Sequence, residues 1–410
     1  MGTLRINEQR LWQSLMTMAK IGATKNGGCN RQALTELDRQ GRDLFVSWCM
    51  DAGCTVEFDQ MGNIFARRAG DDEDAPIVMA GSHLDTQPTG GKFDGVYGVL
   101  SGLEVIRTLN DHNISTTNPI AVISWTNEEG ARFSPAMVGS GVWAGEFGID
   151  YGHSRVDKAG VTLKEALVDI GYLGELPAAC NQPVKAAFEL HIEQGPILEN
   201  EDQQIGIVSG VQGMNWYDIT IIGEACHAGP SPMEIRKDPF MALAPVIDRL
   251  YGLAKENAPW SRVTFGDISA NPGSRNTVPE SVTITMDLRH PNQGVLDDID
   301  QQMRTIVAEE CAKKGLEYVI HDEWKSPAVV FNEACVEAVT QATELLGYSA
   351  KNMVSGAGHD SVYVSRVAPT SMIFVPCDNG ISHNEAENIS SSQAVEGCNV
   401  LLHAMLQSAC

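Results

Sequence analysis

Three short apolar runs in this chain each end on side chains that can bind a metal. PIVMAGS (76–82) leads into His83 and Asp85, and IAVISW (120–125) leads into TNEEG with Glu128 and Glu129. AAFELHI (186–192) carries His191 beside its end and is followed by EQGP with Gln194. Apolar runs of this length read as strands. Between the first two, VYGVLSGLEVIRTL (96–109) places apolar residues at 96, 99, 100, 103, 106 and 109, one face of a helix. Strands alternating with helices predict an α/β domain with a mainly parallel central sheet. In such sheets ligands lie beyond the carboxyl ends of the strands, so these His, Asp and Glu residues are expected to share one site.

The middle of the chain has a different rhythm. NWYDITII (215–222), RVTFGDI (262–268), SVTITMDLRH (281–290) and LEYVIHDEW (316–324) read as strands, with helices over 236–256 and 295–314. The order β-α-β-β-α-β predicts a ferredoxin-like unit, inserted as a block of roughly 115 residues, which is of domain size. The first domain then resumes with a helix near 332–346, the loop SGAGHDS, the strand TSMIFVP and the segment GISHNEAE. The expected division is 1–211 with 330–410, and 212–329. A chain of 410 residues is also too long for a single core.

A net charge of −24 leaves no basic footprint for nucleic acid. It also requires a local cation or metal to capture a small anionic substrate. No apolar run is long enough to span a membrane, and the N-terminus reads as an amphipathic helix with Leu11, Leu15, Met16 and Met18 toward a core, not as a secretory signal. The ten cysteines are scattered without a CxxC pair, which predicts a reduced, cytoplasmic protein with mostly buried thiols. Any metal therefore has to use His, Asp and Glu.

GSHLDTQPTGGKFDG (81–95) sets His83 and Asp85 two apart and Asp94 nine further on. Residues two apart on an extended chain point to one side. Asp85 can then accept the second ring N–H of His83, or orient a neighbouring acid. Glu128 and Glu129 are adjacent and point differently, so one can bind metal while the other serves as a general base. His191 and His383 complete the candidates.

The segments GSHLDTQPTGGKFDG, TNEEGARF, ELHIEQGPILE, HAGPSPM, NPGSRNTVP, DLRHP, SGAGHDS and GISHNEAE, in this order over residues 81–388, resemble the dinuclear metallohydrolases related to zinc aminoacylases and carboxypeptidases. The likeness is greatest to the hydantoinase/carbamoylase branch, with its N-carbamoyl-L-amino acid hydrolases, β-ureidopropionases and allantoate amidohydrolases. The resemblance implies a catalytic domain with a dinuclear metal site and an inserted lid that also forms a homodimer. It implies His83, Asp94, Glu129, His191 and His383 as ligands of two divalent ions, zinc or else manganese, cobalt or nickel, with Asp94 bridging. Glu128 becomes the base, Asp85 a supporting acid, and His227 an oxyanion group reaching in from the partner subunit. Gln194, Asn276, Arg289 and His359 match substrate-binding residues, and Arg289 suits a carboxylate because its fork can grip both oxygens. HAGPSPM departs from the HAGTTPM form of many relatives at Pro230 and Ser231. The implied reaction is attack of an activated water on a ureido carbon, releasing an amino acid, ammonia and carbon dioxide. Allantoate is the alternative substrate. A metallopeptidase or deacylase is a further reading, disfavoured because peptidase relatives generally place Asp where this chain has His191. A non-catalytic, metal-stabilised binding protein is disfavoured by the full set of ligands plus Glu128.

Overall fold

The computed structural model describes residues 3–410. The chain divides into two compact units, one reaching to Gly210 and resuming at Val330, the other Val211–Val329.

The larger unit is built on a nine-stranded sheet. Its centre is four parallel strands in the spatial order Ile120–Trp125, Ile77–His83, Val184–Ile192 and Thr370–Val375. Antiparallel strands flank them, Ile64–Arg68 on one side and Ile205–Val211 on the other. All six residues of Ile120–Trp125 and of Thr370–Val375 are buried, as expected for strands covered on both faces. Helices Glu8–Met18, Val96–Asp111, Glu333–Leu346 and Ser391–Ala409 supply one side of the core, with Leu15, Leu100, Leu103, Val339 and Leu401 packed on Val78, Val122 and Leu190. A smaller cluster around Met79, Ile123, Trp125, Trp143 and Val364 covers the other face. The register aligns the functional ends: His83 pairs with Trp125, and His191 with Phe374.

The smaller unit is a four-stranded antiparallel sheet in the order Glu317–Ser326, Gly213–Ile222, Ser281–His290, Arg262–Asn271. Helices Phe240–Glu256 and Gln293–Lys314 pack on one of its faces through Leu243, Val246, Leu250, Ile299 and Met303, against Tyr217, Ile219, Ile284 and Met286. Ser281–His290 alternates half-buried and buried without exception, the period-two signature of a sheet with one packed face. This is the ferredoxin-like βαββαβ arrangement that the sequence pattern predicts. A separate two-residue ribbon pairs Cys226–His227 with Thr277–Val278.

Candidate metal and catalytic site

The parallel strands deliver the first candidate ligands. His83 ends its strand, and His191 lies one residue before the end of its own. Each ring donates its Nδ1–H to a backbone carbonyl: His83 to Asp85 at 2.8 Å, His191 to Ile192 at 2.9 Å. A carbonyl can only accept, so these bonds fix the tautomer and leave Nε2 for a ligand on both rings. The Asp85 carboxylate is 4.0 Å from His83 Nδ1. It instead accepts the amides of Glu128 at 3.3 Å and Glu129 at 3.2 Å. Of the two roles open to Asp85, the structure therefore has it orienting the neighbouring acids, while its backbone carbonyl holds the imidazole.

Asp94 stands between two groups of donors. Its Oδ1 lies 3.1 Å from His191 Nε2 and 3.5 Å from His83 Nε2. Its Oδ2 lies 3.5 Å from His383 Nε2, which is 3.3 Å from Glu129 Oε2. One cluster, His83–Asp94–His191, is wholly buried, whereas the other, Asp94–Glu129–His383, opens toward solvent at His383. Glu129 is held by Gln87, whose amide and side chain donate to its two oxygens at 3.0 and 2.8 Å. Glu128 is buried, with Oε2 at 3.5 Å from His83 Nε2.

The backbone is bent to make this possible. Asn127, Gln194 and His383 all have positive φ, between 52° and 58°. Non-glycine residues hold that conformation only where the surroundings enforce it. Asn127 shows how: its side chain donates to Phe133 O at 2.8 Å, and Met137 N bonds Glu128 O at 2.7 Å, closing the loop that presents Glu128.

The donor set fits divalent cations. Two imidazole Nε2 atoms and several carboxylates converge in a buried space, and no Lys or Arg forms an ion pair with Asp94, Glu128 or Glu129 among the described residues. Nitrogen and carboxylate oxygen are the ligands zinc, manganese and cobalt accept. Against burial, hydrogen bonds from His191 and His83 hold Asp94 well below the usual carboxylate range, whereas Glu128 and Glu129 are shifted upward. Burial, then Asp94, pushes Glu129 up to about 8. Glu128 is raised well above the carboxylate range by burial, with Asp360 and Glu129 adding to it. Burial opposes a charge on His83, but Glu128, Asp94 and Asp85 together lift it well above its ordinary value.

The other sequence candidates fall in several places. Gln194 Nε2 donates to Asp94 Oδ2 at 2.9 Å and to Ser382 Oγ at 3.1 Å, and its buried Oε1 has no partner. His359 stacks edge-on against His191 with ring centroids 4.6 Å apart and bonds Ser355 Oγ. Burial, then His191, keeps it neutral. In the smaller unit, the ribbon puts His227 opposite Thr277, with Ala228 N bonded to Asn276 O, so His227 and Asn276 are neighbours. Gly229 N donates to His227 Nδ1 at 3.1 Å, which leaves the ring proton on Nε2. Arg289 is gripped by Asp287 through Nε and Nη2.

Sequence reasoning missed the surroundings or roles of three buried acids and one serine. Glu189 accepts from Ser82 Oγ, Ser361 N and Ser361 Oγ. Asp360 takes a bond from Ser140 and keeps Oδ2 unpartnered. Glu387 accepts the amides of Phe93 and Asp94. Ser382 Oγ donates to Asp94 Oδ2 at 3.0 Å, beside these acids. Each lies inside a quoted motif or two residues from a ligand, and that proximity was the available signal.

A family model described as Peptidase family M20/M25/M40 matches residues 79–407. An N-carbamoyl-L-amino-acid amidohydrolase of Rhizobium meliloti is 47% identical over 405 residues, covering 99% of this chain and 97% of the relative. An allantoate amidohydrolase of Bacillus subtilis is 34% identical, with 94% and 93% covered. A crystal structure of an amidase of the hydantoinase/carbamoylase family from Burkholderia multivorans superposes with a TM-score of 0.95 at 53% identity, covering 99% of both chains.

Proposed function

The chain belongs to the M20/M25/M40 peptidase family, in its hydantoinase/carbamoylase branch, and on that premise we propose that it hydrolyses N-carbamoyl-L-amino acids or N-carbamoyl-β-alanine. One water and one ureido group yield the free amino acid, ammonia and carbon dioxide. The observation that carries this reading is the buried acid Glu128 beside the His83–Asp94–His191 cluster.

Two divalent ions fit the residues, one on His83, Asp94 and His191, the other on Asp94, Glu129 and His383; when bound, they polarise a carbonyl and acidify water. Zinc, manganese, cobalt and nickel all suit these donors. Glu128 takes the proton of the attacking water and delivers it to the leaving nitrogen. Asp85 keeps Glu128 and Glu129 in register by accepting both their amides. His359, neutral and packed on His191, and Gln194 line the reacting group's surroundings. Asn276 and Arg289 receive the substrate carboxylate, with Asp287 fixing the orientation of the Arg289 fork. His227 stabilises the oxyanion from the partner subunit of a homodimer formed through the smaller unit. The free state of all ten cysteines supports a reducing, cytoplasmic setting, and no helix among the described residues is long and apolar enough to cross a membrane.

Allantoate, also a ureide with a carboxylate, is the second reading, favoured by the allantoate amidohydrolase of Bacillus subtilis among the relatives. The deciding experiment is ammonia release by the metal-reconstituted enzyme on N-carbamoyl-β-alanine, N-carbamoyl-L-amino acids and allantoate, each with a chelator control. Chelator-sensitive release from a carbamoyl amino acid is expected; release from allantoate alone would reassign the substrate. Glu128→Gln is expected to lower turnover by about 10²–10⁴-fold with metal content intact. Wild-type turnover in that variant would remove Glu128 from the role of base.

A further inference from the structure

Glu387 is a buried carboxylate that the proposed chemistry does not use. Its Oε1 accepts two backbone amides at once, Phe93 N and Asp94 N, both at 3.0 Å. Its Oε2 is buried without a hydrogen-bond partner, and no cation pairs with it among the described residues. Buried acids are costly unless they are bound to donors, so the two amides are the compensation the fold provides. The fit is tight: a Cβ added to Gly91 would overlap the Glu387 carboxylate.

The same short segment touches Asp94 at two further points. Ser382 Oγ donates to Asp94 Oδ2 at 3.0 Å, and His383 Nε2 stands 3.5 Å from that oxygen. An Asn384 turn joins these residues to Glu387, with Ala386 N bonded to Asn384 Oδ1 at 2.9 Å and Glu387 N to Asn384 O at 3.0 Å. His383 and Asp94 both belong to loops, so nothing in the sheet ladder fixes their separation. His83 and His191 differ, because they leave paired parallel strands. Glu387 is the strut that ties the backbone of the Asp94 loop to the segment carrying His383.

We propose that Glu387 is a positioning residue for the Asp94–Glu129–His383 metal subsite, and that it acts by accepting the Phe93 and Asp94 amides. This rests on the two-ion reading above. The shared ligand Asp94 keeps its place toward His83 and His191 through those strand-borne rings, so loss of the strut falls on the open subsite.

The test is titration of cobalt(II) into chelator-treated full-length chain, read by isothermal calorimetry and visible absorption, for wild type, Glu387→Ala, Glu387→Asp and Glu387→Gln. Far-UV circular dichroism establishes folding, and Glu387→Asp, which keeps the charge but loses the reach, carries the test where the alanine variant does not fold. Wild type is expected to bind two ions. The Ala and Asp variants are expected to keep one ion at near wild-type affinity and to bind the second at least about tenfold more weakly, the usual cost of removing an outer support. Glu387→Gln keeps an oxygen that can accept both amides and is expected to restore the second ion. Wild-type binding of both ions by the Asp variant would overturn the proposal, as would equal loss of both ions or a Gln variant as weak as Asp. A wild-type chain that binds only one ion would overturn the two-ion reading instead, a result separate from any of these.

Discussion

Gly95 is the position where a single methyl group is expected to do most damage to the site. Asp94 O accepts from Val96 N at 2.7 Å across Gly95, whose φ and ψ are 67° and −51°. That is a γ-turn of the rare positive-φ kind, strained for any residue with a Cβ. The turn aims Gly95 N at His191 Nε2, 3.1 Å away. It also brings the backbone so close to His83 that a Cβ on Gly95 would overlap the imidazole. Gly95→Ala therefore combines a backbone cost of about 1–3 kcal/mol with an overpacking cost of about 1–3 kcal/mol. Relief comes from moving His83, Asp94 or both. If all of the roughly 2–6 kcal/mol appears as lost metal affinity, the dissociation constant of the buried site rises by about 30-fold to more than 10⁴-fold. Gly145→Ala is the control, because Gly145 also has a positive φ, of 79°, but nothing lies within 4 Å of its added Cβ. Calorimetric metal titration of both variants, with urea unfolding of the metal-free proteins, separates the two costs. Equal metal affinity in the two variants would refute the argument that Gly95 makes room for His83.

Two further outcomes follow from the same geometry. Glu129 sits at about 8 in the metal-free protein through burial and then Asp94, so at pH 7 it binds a proton that a metal has to expel; affinity is expected to rise from pH 6 to pH 8. Calorimetry at pH 7 in buffers of different ionisation enthalpy should register proton release, and a buffer-independent heat would contradict it. Mixing inactive His227→Ala and Glu128→Gln chains through dissociation and reassociation should regain about a quarter of wild-type activity if His227 serves the partner's site, since random pairing makes half the dimers mixed and each then holds one intact site; no recovery would place His227 in its own chain's site.

Much of this was legible because it is periodic. The strand that ends at His83 is a short apolar run, the one carrying His191 is apolar apart from Lys185, Glu189 and His191 itself, and the alternation in 281–290 is unbroken. Other elements gave weaker signals. Glu36–Asp51 is a helix despite its polar sequence and Gly41, and it buries an Arg42–Asp38 pair with Nε and Oδ2 2.8 Å apart. Ile205–Val211 and Ala350–Ser355 are short strands, one containing two glycines and the other half-exposed. In the site, residue type at a strand end pointed to His83, Glu128 and His191. It could not say that Glu387, nearly three hundred positions from Asp94, accepts its amide, because a carboxylate beside a motif reads the same whether it faces solvent or a backbone N–H. Nor did spacing decide between the two roles of Asp85, which depended on where the 128–129 backbone comes to rest.

The charge balance of the site bears directly on the base role proposed for Glu128. Glu128 lies in a space that also holds Asp85, Asp94, Glu129 and Asp360, and without metal, burial together with Asp360 and Glu129 keeps it protonated far above the carboxylate range. A protonated acid cannot take a proton from water. Divalent charge beside Glu128 works against both causes at once: it offsets the neighbouring carboxylates and stabilises the ionised form in a medium that screens weakly. On the role proposed for Glu128, the burial that disables it in the metal-free protein would leave it poised as a base once metal is bound. The same charge would offset the repulsion that a chain of net charge −24 exerts on the anionic substrate proposed for it. Chelation should therefore abolish both capture of the anion and ionisation of the base, while the strand-borne scaffold of His83 and His191 stays in place.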